Sequence, residues 1–367
     1  MNRNRPTLSD IAARTGFGTN TVSLALRNST RISKETRETI QAAAHELDYV
    51  PNYVAKSLAL DRTHTVGLIL HEIDNPLLTL GARSIQLELA ARGYSVMFAT
   101  SNGSIEEEKR AIEMFRRRLV DGILIYPLVH ERLEHLIELR NKNYPIVLLI
   151  GAKDVPIDAV GIDEYAGAFV ATQHLIDLGH RRIGALVPKV NLEKFRGYAA
   201  ALRRAKIRLD RSIVRDPSNT IEGAVAMTAE IMQSEAAPTA IFAGSDVQAL
   251  GALHWANANR VPVPARLSVA GFDDISAGRF AAVPLTTVRN DVEITARRAV
   301  ERLFTLLEAR GPLPPPVTEF VGGELIIRES TRRPFTGRQS SNQTEDTTDA
   351  SNVRSKSRER PMAGQAR

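Results

Sequence analysis

The chain has 367 residues, of which 43% are hydrophobic, with a formal net charge of +6 and no cysteine. That length exceeds one average domain and that apolar fraction can fill real cores, so a small module joined to a larger body is the natural expectation. The lack of cysteine excludes disulfides, thiol nucleophiles and thiolate metal sites, and the positive balance suits an anionic partner without requiring one. The basic opening, Arg3 and Arg5 before Pro6, runs into polar residues rather than a signal's apolar core, and no window approaches the roughly 20 apolar residues of a membrane span. A cytoplasmic protein with no membrane partner is expected.

The first zone, residues 1–49, reads as three short helices. Thr7-Leu8-Ser9-Asp10 has the form of a capping box, and Gly16 suits the left-handed turn after a helix. A second helix follows from Thr19 with Val22, Ala25 and Leu26 at inward spacing, and Ser33 caps a third that runs to about Leu47. Three helices on one core fit either an ordinary small bundle or a DNA-binding module. The exposed start of the second helix favours DNA: Thr19, Asn20 and Ser23 can bond base edges or phosphates, and free amides there attract phosphate. Arg3, Arg5, Arg31 and Lys34 are available for phosphate neutralisation.

Residues 50–64 form a linker in which Pro51 can open a short helix of good formers through Leu60. Helices below about 12 to 15 residues are marginal in water, so the segment is expected to order only when packed or bound, or to serve as a simple tether. Residues 65–334 alternate apolar runs with amphipathic stretches. The runs at 65–70, 95–99, 122–126 and 146–150, then 183–187, 240–243, 268–272 and 286–288, look like strands buried on both faces. Helical patterns at 106–118, 165–178, 194–205 and 246–259 lie between them. The fold class expected is an all-α helix-turn-helix module followed by an α/β body of two doubly wound parallel-sheet lobes with a ligand cleft between. Residues 335–367 are polar and expected to be disordered.

The N-terminal block resembles the lactose-repressor family of bacterial regulators. The likeness lies in Thr7-Leu8-Ser9-Asp10-Ile11-Ala12, Gly16, Thr21-Val22-Ser23, Ala25-Leu26, the run Ile32 to Arg37 and the run Glu46 to Asn52. It continues through the body in Val120-Asp121-Gly122-Ile123, Leu178 to Ile183, Pro238 to Phe242, Ser268 to Asp274, Pro284 to Val288 and Ile327 to Ser330. The body shares its two-lobed architecture with periplasmic sugar-binding proteins. The resemblance implies that Thr19 and Asn20 choose the operator, with Thr7, Thr21, Ser23 and Leu24 completing the DNA-binding set. It also implies a hinge helix in the minor groove, where Asn52, Tyr53 and Ala55 lie beside the DNA, Val54 faces the partner and Leu58 inserts between base pairs. Two departures stand out: Gly18 replaces the usual capping Ser, and Leu24 replaces an Arg that often contacts bases, which points to an atypical half-site.

The same resemblance places effector contacts. Asp273, just past the strand at 268–272, matches an aspartate that accepts from ligand hydroxyls, and Asp274 beside it reads as structural. Lys194 takes the place of a gripping Arg, offering a point charge rather than a fork. Ser245 stands where an Asn is common, and its neighbour Asp246 reads as a helix cap or as a further ligand contact. Asn75, Leu77 and Leu78 follow the first body strand, where bulky residues wall the pocket, and Ser218 stands near a position often held by a stacking aromatic. A less aromatic pocket follows, with a sugar or sugar derivative as the implied effector.

An enzyme and a sugar-binding module are the rival readings. No phosphate-binding glycine loop, nucleophile elbow or His-Glu-x-x-His helix is present, and His180 reads as a surface or capping residue. No catalytic residue, metal or cofactor is expected. The partners expected are a pseudo-palindromic operator, a small effector and a second copy of the chain, because one short recognition helix reads little DNA alone.

Overall fold

A computed structural model describes residues 6–50, 62–188, 192–235 and 237–334. The linker residues 51–61 and the tail 335–367 lie outside the described residues.

The first three helices are α1 (Leu8–Thr15), α2 (Thr19–Leu26) and α3 (Lys34–Glu46). The Thr7 and Asp10 side chains cap reciprocally, and Gly16 closes α1 at φ 76°, a conformation that costs a residue with a Cβ more than it costs glycine. Ser33 accepts the amide of Thr36 to start α3. The helices enclose Ile11, Val22, Ala25, Ile40, Ala43 and Ala44, with Phe17, Leu26 and Leu47 packed around them.

The first lobe begins with β1 (Thr65–Leu70), α4 (Pro76–Ala90), β2 (Ser95–Thr100), α5 (Ile105–Arg117), β3 (Gly122–Ile125), α6 (Glu134–Asn141), β4 (Ile146–Leu148) and β5 (Asp158–Ile162). The chain then crosses into the second lobe, which holds α7 (Glu164–Asp177), β6 (Ile183–Leu186), α8 (Leu192–Arg204), β7 (Val214–Arg215) and α9 (Ile221–Met232). It continues with β8 (Ala240–Ala243), α10 (Asp246–Ala258), β9 (Ser268–Asp273), the short α11 (Ser276–Arg279) and β10 (Thr286–Arg289). A return crossing supplies α12 (Val292–Leu307) and β11 (Thr318–Val321) to the first lobe, and a last one adds β12 (Glu324–Ile326) to the second.

Each lobe is built on a sheet with six strands among the described residues, in the orders β11-β5-β4-β3-β1-β2 and β12-β10-β9-β8-β6-β7. All pairings are parallel except β10 with β12. Strand side chains alternate between layers: Val66, Leu68 and Leu70 enter the core under α4 and α12, while Ile69 enters the opposite one. In the second lobe Phe242 and Ile241 divide in the same way. One expectation needs correction. β2 is not buried on both faces: it is the sheet's outer strand, with a mixed burial pattern and Phe98 41% exposed.

Candidate nucleic-acid interface and ligand cleft

α2 starts at Gly18, which provides no side-chain cap. Its first amides are therefore left for another acceptor, as at helix N-termini that hold phosphate. Thr19 and Asn20 at that end are exposed, and Thr21, Ser23 and Leu24 are half-buried. Ser23 is not free on the surface: Arg27, one turn on, donates its Nε to the Ser23 carbonyl at 3.1 Å and Nη2 to the Ser23 hydroxyl at 2.8 Å. Sequence reasoning passed over Arg27, although its spacing four residues after Ser23 was a readable signal. Thr7 donates its amide to Asp10 at 2.7 Å and its hydroxyl at 2.8 Å, so its side chain is engaged in the cap. Asn52, Tyr53, Val54, Ala55 and Leu58 lie outside the described residues.

The candidate ligand cleft gathers where strands end. Asp273 closes β9 at φ 119°, an unfavourable region for a side-chain-bearing residue, and is 6% exposed. Its Oδ1 is buried with no hydrogen-bond partner among the described residues. Burial pushes the Asp273 carboxyl up to about 7, with the Lys194 charge opposing the rise and Glu164 adding to it. Lys194, buried on α8, donates to the Gly244 carbonyl at 2.8 Å, stands 3.6 Å from Glu164 Oε1 and lies 4.1 Å above the Phe272 ring. Its charge is thus shared with the protein's own groups.

Asp246 does not cap α10; Ser245 does, accepting the Gln248 amide at 3.2 Å. Asp246 is buried, accepts from Thr287 Oγ1 at 2.5 Å and from the Ile275 amide at 2.8 Å, and is raised to about 8 by burial and then by the Asp273 charge. It holds the turn after β9. Asp274 is a structural anchor: burial alone would raise its pKa, but hydrogen bonds from Arg289 and Arg328 bring it below the usual range. His180 is not a surface residue. It is 1% exposed and bonds Thr239 Oγ1 and the Arg332 carbonyl, joining α7's end to the chain's return.

From the first lobe, Asn75 caps α4 by accepting the Leu77 amide at 3.0 Å and donates to Glu72 Oε1 at 3.0 Å. Leu77 is half-buried and Leu78 joins the core beside Tyr126. Across the cleft, Asn219 also donates to Glu72 Oε1 at 3.0 Å and accepts from Ser245 at 2.7 Å. Glu72 is held down at about 2, first by its bond with His71, against burial, and then by Asn219 and Asn75. A second polar contact spans the lobes where the Leu192 amide donates to Glu131 at 3.3 Å.

Glu72, Asn219, Tyr126 and Gln248 were missed by sequence reasoning. Ser218 is exposed, and it is the next residue that reaches the cleft. Burial raises the Tyr126 phenol, the Asp273 charge raises it further, and Gly81 leaves room for its hydroxyl. Gln248 is fully buried with neither amide atom bonded among the described residues; a glutamine inside an apolar helix face was its only signal.

The family model for bacterial regulatory proteins of the lacI family matches residues 7–52, and a periplasmic binding protein-like domain matches residues 172–331. The HTH-type transcriptional repressor CytR of Escherichia coli strain K12 is 30% identical over 333 residues, covering 89% of this chain and 96% of that protein. The chain belongs to the lacI family. It is a DNA-binding transcriptional regulator, with the helix-turn-helix and the two α/β lobes of that family. Among solved structures, the lac repressor dimer bound to operator and the anti-inducer ONPF superposes with a TM-score of 0.82 at 25% identity, covering 90% of this chain and all of that one. The CelR-cellobiose complex follows the fold at a TM-score of 0.67 and 30% identity, over 89% of this chain and 100% of that one.

Proposed function

We propose that this lacI-family protein is a cytoplasmic, non-enzymatic homodimeric repressor whose hold on a pseudo-palindromic operator is set by a small polar effector, of the sugar or sugar-derivative class, in the cleft between its lobes. The observation that carries the reading is the exposed start of α2, where Thr19 and Asn20 stand beside amides that no side chain caps. The effector half of the reading rests on Asp273, whose buried acceptor fits a ligand hydroxyl. The relatives named repressors and the cellobiose-bound neighbour support it. Apolar side chains left on the surface of each lobe, Leu80 and Leu87 on α4 and Phe280 after α11 at 82% exposure, are available for pairing with a second copy. Footprinting on genomic fragments tests the proposal: a symmetric protected site is expected, and protection that a Thr19→Ala, Asn20→Ala double variant retains contradicts it.

A further inference from the structure

The side chain best built to read a base on α2 lies at its far end. Arg27 is exposed, caps the C-terminus of the helix, and folds back over the preceding turn to bond both oxygens of Ser23. Side chains on a helix lean toward its N-terminus, and the two bonds fix that lean. They carry the guanidinium about one helical pitch, roughly 5.4 Å, toward Asn20 and Thr19. Both bonds go to the neutral oxygens of Ser23, so the charge is kept. The Nη1 hydrogens and the second Nη2 hydrogen have no bond among the described residues, and together they form the paired-donor edge that matches guanine O6 and N7. Leu24, on the adjoining face, has no donor to offer.

Resting on the DNA-reading role of α2, we propose that Arg27 is a specificity-determining contact that reads one guanine in each half-site, and that Ser23 acts as its positioning residue rather than as a base reader. The half-site then differs from one read by an arginine at position 24, because the donor pair arrives from one turn further along the helix. A lysine at 27 keeps the charge but cannot make the fork.

The test is selection from random-sequence duplexes by the full-length protein and by Arg27→Gln, Arg27→Lys and Ser23→Ala, followed by anisotropy titrations of the selected duplex across a salt range. Wild type is expected to enrich a two-fold symmetric site with an invariant G·C pair in each half. Arg27→Gln and Arg27→Lys should lose enrichment at that pair alone, with affinity for the selected site falling on the order of tenfold to a hundredfold. Ser23→Ala should fall by a smaller factor at the same pair. If Arg27→Gln enriches the same site with a uniform loss and a salt slope lower by about one, Arg27 is a phosphate contact and the proposal is overturned. Unchanged selection and affinity would reduce it to a cation at a helix C-terminus. Failure of wild type to enrich any site would instead remove the DNA-reading role beneath the proposal.

Discussion

Asp273 gives the sharpest quantitative prediction, because its carboxyl is buried with one oxygen unbonded among the described residues. Raising its pKa from 3.8 to about 7 corresponds, at about 1.4 kcal/mol per unit, to about 4 kcal/mol of penalty on the ionised form. Relaxation and water entry bring the measurable part to on the order of 2 kcal/mol. The sign follows from proton binding. Between the unfolded and folded pKa values the native state binds more protons, so this carboxyl's contribution to stability falls as pH rises from about 4 to about 7, while His174 and His180, lowered by burial, act in the opposite direction. Asp246, raised to about 8, acts in the same direction as Asp273 and is pushed up partly by the Asp273 charge. Asp273→Asn removes one penalty and relieves the other. Urea unfolding at about pH 5 and about pH 8.5 reads both, using the single tryptophan, Trp255 on α10 in the same lobe, as reporter. The variant is expected to be the more stable protein at the higher pH, and its advantage over wild type should be larger there than at the lower pH. A variant with the same change in stability between the two pH values as wild type would contradict this.

Other predictions concern closure, the hinge and pairing. Glu72→Ala removes the acceptor that Asn219 reaches across the cleft, so the distance between probes placed on the two lobes should broaden and lengthen; the cysteine-free chain makes such labelling clean, and an unchanged distribution refutes the bridge. Leu58→Ala should weaken binding to the operator far more than to random duplexes, since intercalation helps only at a step that kinks; equal losses would make Leu58 part of a tether. Phe280→Glu should shift the protein toward monomer in sedimentation velocity at micromolar concentration, and an unaltered dimer excludes that face.

Much of the fold was legible because helices and central strands carry their periods in short windows. β1 and β8 match their apolar runs, and α10 ends within a residue of its pattern. β5, β7, β11 and β12 were not read: β5 opens on the charged Asp158, β7 and β12 have two and three residues, and β11 pairs with β5 far off in sequence through the return crossing. β2 misled because an outer strand of a parallel sheet is apolar yet half-uncovered. At the cleft, Asp273 was placed from the end of its strand together with the family resemblance, and Lys194 from the resemblance alone. Glu72 and Asn219 could not, since 147 residues separate them and each looks like an ordinary loop residue until the lobes face one another. His180 shows the converse: a histidine next to Gly179 and two arginines reads as surface, but the returning Arg332 carbonyl buries it.

The central claim is that this chain reads DNA through α2 as a symmetric pair. Its most direct test is nuclease footprinting of the full-length protein on genomic fragments at physiological salt, beside a Thr19→Ala, Asn20→Ala double variant with the same folded body. A protected site with two-fold related halves centred about 34 Å apart, or a multiple of that, is expected for wild type and should be lost for the variant. Uniform, sequence-independent protection, or a site the variant protects equally well, would contradict it.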